Sequence, residues 1–159
     1  MKKLCMLTAA ALALMLLAGC SAQEEETEPL PESMDQETVL AAGEEILTQL
    51  LDGEYETVYE EFREDIRANL TVESVQELIE SETQEAGTYE GIEKADTIGS
   101  TEGEEHGIAR FLCNFSEEDV AINLAFDTDM ELIGLSAGVQ TSGWSFSNLT
   151  GNLSNLFGG

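Results

Sequence analysis

From Asp35 to Asp52, small or apolar side chains return every three or four residues. Val39, Gly43, Ile46, Leu47, Leu50 and Leu51 fall on one face. That spacing predicts a helix with one buried stripe, and Gly53 supplies the stop. A second stripe of Tyr55, Val58, Tyr59, Phe62 and Ile66 predicts a helix over 55–68, with its Glu and Arg residues turned outward. Thr71 is a good N-cap for a third helix, with Glu73 in its first turn. Val75, Leu78 and Ile79 face inward in that helix, and Gly87 ends it.

Beyond Gly87 the apolar period falls to two. A weak strand is expected over 89–98 and stronger ones over 108–115, 120–126 and 132–139. Ala109, Phe111, Cys113 and Phe115 share one side of the second. Val120, Ile122, Leu124 and Phe126 alternate along the third, and Ile133, Leu135, Ala137 and Val139 along the fourth. The short polar segments 116–119 and 127–130 make consecutive strands antiparallel. The expected fold class is α+β, with three N-terminal helices packed on a four-stranded antiparallel meander sheet. Phe62 and Phe126 are expected in its core.

The ends of the chain read differently. Lys2 and Lys3 precede an uncharged run from Leu4 to Gly19, rich in Leu, Ala and Met. A basic start and a short apolar stretch form the pattern of a secretory signal peptide. The run is short for a transmembrane helix, which needs about 20 apolar residues. Residues 21–33 hold five Glu, two Pro and no basic residue, a composition that predicts an extended, disordered tether. The expected divisions are 1–19 signal peptide, 20–34 acidic tether, 35–140 α+β domain and 141–159 a tail rich in Gly, Ser and Asn. Wound as a helix, that tail would gather Phe146, Leu149, Leu153, Leu156 and Phe157 into one stripe, with Trp144 nearby. Gly151 and the Asn and Ser residues oppose winding in isolation. Disorder, folding back on the domain and docking on a partner all stay open for it. With no Lys or Arg on the stripe, a protein contact is favoured over a lipid one.

Charge narrows the partners. The chain carries a formal −27, and loss of Lys2 and Lys3 would make it −29. Only Arg63, Arg67, Lys94 and Arg110 then remain basic. Such a chain is not expected to bind nucleic acid, since affinity for phosphates comes from Lys and Arg. It is also held off anionic surfaces. Cys113 sits in the apolar run Phe111-Leu112-Cys113 and reads as a small buried hydrophobe.

Two resemblances add to this. Leu17-Ala18-Gly19-Cys20 resembles the lipobox of bacterial lipoproteins. It implies cleavage before Cys20 and diacylglycerol on the Cys20 sulfur, with acyl chains of the palmitate kind. One chain holds weakly, at about 0.8 kcal/mol per buried CH₂, whereas two hold firmly. The runs Leu50-Leu51-Asp52-Gly53-Glu54-Tyr55-Glu56 and Phe62-Arg63-Glu64-Asp65-Ile66-Arg67, with Leu70-Thr71 and Phe126-Asp127, resemble domain-of-unknown-function family 3887 of secreted bacterial proteins. The resemblance spans about Asp35 to Val139. It implies a cone-type α+β fold similar to the nuclear-transport-factor-two type, whose curved sheet can wall a pocket. It implies an accessory or binding role and supplies no catalytic motif.

Candidate chemistry is sparse. His106 is the only histidine and reads as a solvated loop residue beside Glu104 and Glu105, so no Ser-His-Asp or Cys-His set is expected. No cofactor and no metal site is expected either. One His and one Cys fall short of a zinc set. Asp127-Thr128-Asp129-Met130-Glu131 lacks the glycine and terminal acid of a calcium loop and reads as a hairpin turn. Tyr55, Tyr59 and Tyr89 are the polar handles expected to line a pocket, or else core rings with hydroxyls at the surface.

The reading reached is a lipid-anchored domain on the outer side of the cytoplasmic membrane, held there through Cys20. It is expected to be a non-enzymatic binding or accessory module for an extracellular ligand or protein, working on the sheet's concave face. The alternative is a cone-fold enzyme that uses a pocket carboxylate on a small apolar substrate.

Overall fold

A computed structural model describes residues 27–140. Helix α1 (Gln36–Leu51) starts where the Asp35 carboxylate accepts the Thr38 N–H, satisfying a donor the helix cannot pair internally. Val39, Gly43, Ile46, Leu47 and Leu50 are buried along it, as the stripe predicts. Helix α4 (Val72–Thr83) starts in a capping box, in which Thr71 and Ser74 each accept the other's backbone N–H.

Between them the expected single helix over 55–68 is two, α2 (Tyr55–Glu61) and α3 (Glu64–Arg67). Phe62 is extended, at φ −67° and ψ 139°. It forms a parallel bridge with Leu132, and the Arg63 N–H donates to the Leu132 carbonyl at 2.9 Å. A strand edge thus outcompetes one helical turn, and Phe62 stays buried all the same. Among the described residues the helices number four, not three.

The sheet is the expected meander. β1 (Tyr89–Ser100), β2 (His106–Phe115), β3 (Asp119–Asp127) and β4 (Leu132–Gln140) lie in that order, every pair antiparallel. The helices gather on one face. There the Gly43 position leaves no room for a side chain, because a Cβ would lie 2.7 Å from the Ala109 Cβ and 2.8 Å from the Phe111 ring. Phe111, Phe126, Leu47, Leu50, Ile122 and Leu124 fill the space between the layers.

Register departs from expectation in β4. A bulge separates the pairs Ala125↔Gly134 and Phe126↔Leu132. The extra residue moves Leu132 into the helix-facing core and turns Ile133 to the opposite face, where it packs with Ile108 and Ala125.

The acidic tether, expected through Met34, ends earlier among the described residues. Glu28 pairs with Gly99 of β1, with the Gly99 N–H donating to the Glu28 carbonyl at 2.8 Å. Leu30 and Met34 pack into the core. Gly107 makes the room, since a Cβ there would meet Leu30 at 2.8 Å and Met34 at 2.9 Å. The apolar residues inside an otherwise acidic segment explain the docking. The signal-peptide, lipobox, Cys20 and tail readings lie outside the described residues.

Candidate functional site

The three tyrosines do not converge. Tyr55 and Tyr59 sit on α2, half-buried against the core or its edge, and the Tyr59 hydroxyl donates to the Arg67 carbonyl at 3.5 Å. Tyr89 opens β1, is exposed, and meets Phe115 edge-on at 5.5 Å. Burial and then Glu80 raise the Tyr55 hydroxyl above its ordinary pKa. Burial does the same at Tyr89, helped by Cys113 and Glu44. On the helix-facing side the space a concave pocket would use holds core side chains. Cys113 lies in that core, and burial pushes its thiol up to about 12, which keeps it protonated and unreactive.

Polar chemistry collects on the other face of the sheet. Register places one residue from each strand in a single row, Asp96↔Arg110↔Asn123↔Ser136. Asp96 accepts two hydrogen bonds from Arg110, Nε to Oδ1 and Nη2 to Oδ2, both at 2.6 Å. This planar two-bond pairing is the strong form of an Arg–carboxylate contact. Arg110 is 5% exposed and Asn123 7%. The Asn123 amide Nδ2 donates to the Ser136 hydroxyl at 3.1 Å, while its Oδ1 is buried without a hydrogen-bond partner. A buried carbonyl oxygen left this way costs about 1–3 kcal/mol, so the row offers an unspent acceptor beside a buried cation. Apart from the exposed Lys94 the flanking rows are apolar or small: Lys94↔Leu112↔Ala121↔Gly138 on one side and Ile98↔Ile108↔Ala125↔Gly134 on the other. The alternation that flags the apolar face also flags these as the outward positions. Only register brings the four polar ones into line.

A second polar cluster closes one end of the same face. Arg63 donates to Asp65, Glu104 and Asp127 through five hydrogen bonds of 2.7–3.0 Å. That exhausts the guanidinium's five N–H donors. The cluster ties the α2–α3 junction to the β1–β2 loop and to the β3–β4 turn. Burial alone would raise the Asp127 carboxyl. Hydrogen bonds from Arg63 and from the Glu131 and Asp129 backbones more than offset that and hold it below the ordinary range. His106, expected in a solvated loop, is instead the first residue of β2 and buried, with Nδ1 2.7 Å from the Glu104 carbonyl. The strand begins two residues earlier than its apolar pattern, because 106 pairs with both Ser100 and Asp127. The segment 127–131 is a turn, with the Asp127 carboxylate accepting the Asp129 and Glu131 N–H groups. No group of three or more potential ligands is placed to hold a metal ion among the described residues.

Residues 43–135 match the family described as "Protein of unknown function (DUF3887)". The chain is also similar to a protein from Ruminococcus gnavus ATCC 29149 solved by NMR, at 25% identity and a TM-score of 0.59. That likeness covers 69% of this chain and 96% of the other. No curated protein matches.

Proposed function

Since the chain belongs to the protein-of-unknown-function family DUF3887, we propose its role from its geometry: a lipid-anchored, extracytoplasmic accessory domain that offers the helix-free face of its sheet to a protein partner. One observation carries the reading. Asn123 holds a buried acceptor with no partner, in a row with the buried Arg110, flanked by rows that are small or apolar apart from Lys94. Interface centres combine such apolar ground with Arg and a few directed polar groups. The concave side is a poorer candidate, because large apolar side chains occupy it. The buried acid at the end of the sheet favours a module over an enzyme. Asp127 is held ionised by Arg63, whereas a pocket acid catalyst needs its pKa raised.

Residue-specific photocrosslinking in cells tests this. A photoreactive side chain at position 94, exposed on the helix-free face, is expected to give a discrete adduct with one identifiable protein. The same group at position 77, on the exposed side of α4, is expected to give none. Equal labelling at both positions, or at neither, overturns the face assignment. Anchoring has its own readout. The wild-type chain should incorporate a fatty-acid analogue and Cys20→Ala should not, and an unlabelled wild type ends the lipoprotein reading.

A further inference from the structure

The two edges of the sheet differ. At the β4 edge Phe62 bridges Leu132, and the Arg63 N–H donates to the Leu132 carbonyl at 2.9 Å. Further along, the Glu82 carboxylate accepts the Val139 N–H at 3.2 Å. At the β1 edge the described residues supply a single bridge, Glu28 to Gly99. We propose that the β1 edge is a docking site in its own right, which takes an extended, basic segment of a partner protein as an added strand.

The backbone is set for this. The Gly99 N–H points away from β2, to the Glu28 carbonyl at 2.8 Å. Pairing with β2 is regular from Lys94 to Ser100, so alternation turns the N–H and C=O groups of Ala95 and Thr97 to the same outer side. The chain itself does not follow the edge that far. Pro29 and Leu30 cross over Gly99, and Leu30 and Met34 settle on Gly107. Among the described residues nothing pairs with Ala95 or Thr97 on the outer side. A row of such groups is a template for another strand.

Side chains supply a ledge beside that row. Tyr89, Ile92 and Ala95 pair with Phe115, Cys113 and Phe111 of the core, so all three lie on the helix side of β1. There Tyr89 is 38% exposed and Ile92 39%. Every second side chain of an added strand faces this side, which suits apolar residues.

Charge selects the partner. Glu90 and Glu93 are exposed on β1, and Glu44 of α1 acts on Tyr89, against one Lys94. Lys and Arg are drawn to such an edge. A second copy is not, because it carries the same acids and a formal −27. Bulges between Tyr89 and Gly91 and between Ile92 and Lys94 also interrupt the edge. They keep long strands from pairing along it and leave room for a short one.

The probe is a fluorescent peptide of alternating Lys and Val, titrated with the full chain in non-ionic detergent and read by anisotropy. Saturable binding is expected, and the Glu-Val twin should not bind. The Lys-Val peptide with its backbone nitrogens methylated keeps the charge but cannot donate, and it should bind at least about tenfold more weakly. In the protein, Ala95→Pro and Thr97→Pro each remove one outward donor at an edge position that tolerates Pro. Each should weaken binding several-fold with the melting transition retained. No binding of the Lys-Val peptide, or equal binding of its methylated form or of the Glu-Val twin, overturns the proposal. These arms use the wild-type chain, so misfolding of a Pro variant does not decide the matter. Self-association that Ala95→Pro abolishes replaces the partner by a second copy. Neither Pro variant alters the row from Asp96 to Ser136, so this proposal and the reading of the helix-free face fall separately.

Discussion

The two faces of the sheet share one backbone and one set of hydrogen bonds, yet they solve different problems. Toward the helices the strands send Phe111, Ile122, Leu124 and Phe126, which pack into one apolar cluster with the stripes of α1 and α4. Away from the helices the same strands send Asp96, Arg110, Asn123 and Ser136 into one row between rows that are small and apolar apart from Lys94. The first face is defined by volume. The second is defined by pairing, and at Asn123 the pairing is incomplete. A core that filled only volume would not retain a buried guanidinium, because replacing such pairs with apolar residues is often neutral or stabilising. The row is therefore weak evidence for stability, and under the proposed function it serves the partner contact.

That contrast can be broken by mutation. The largest effect belongs to the helix-facing side. Phe126→Ala should cost about 3–5 kcal/mol of stability in a thermal or denaturant melt, since its ring is 2% exposed in the main core. A melt unchanged from wild type would mean that the two faces have been exchanged.

Next comes Asp96→Asn, which keeps the shape but removes the charge facing Arg110. Asp96 is 39% exposed on its side chain, so water softens the loss, and about 1–3 kcal/mol is expected. Replacing Asp96 and Arg110 together by Ala and Leu should cost less than the two single changes combined, as a double-mutant cycle would reveal. Strict additivity would remove the pair from any special role.

The Arg63 cluster gives a smaller effect that depends on pH. Asp127 has its folded pKa depressed. Its contribution is therefore fully present above the unfolded value of about 3.9 and is lost as pH falls through the lower folded one. Wild-type stability should drop on acidification below pH 4 more steeply than that of Asp127→Asn, which has no carboxylate to protonate. Parallel pH profiles would show that the cluster adds nothing.

The smallest change is expected at Asn123→Leu. Its Oδ1 has no partner to lose, and the single hydrogen bond to Ser136 is neutral. Stability should stay within about 1 kcal/mol of wild type, while the crosslink expected from position 94 should weaken. A large destabilisation would place Asn123 in the fold's own framework instead.

Much of this was open to inspection in the linear chain, because it rests on local periodicity. The stripe from Val39 to Leu50, the helix start at Thr71, the four strands and the buried Phe62 and Phe126 all follow from spacings of two to four residues. So do the meander, forced by short connections, and the inert Cys113, set in an apolar run. What required tertiary structure rests on contacts between distant residues. The second helix breaks at Phe62 because the carbonyl of Leu132, seventy positions away, accepts the Arg63 N–H. Ile133 changes face because a bulge absorbs one residue between two otherwise regular strands. Residues 28–34 leave the acidic tether because Gly99 and Gly107 open a seat for them on the sheet. The polar row exists only when register aligns four residues drawn from 41 positions of sequence, each an ordinary outward-facing residue by itself. Periodicity determines which way a side chain points, and pairing determines what it meets.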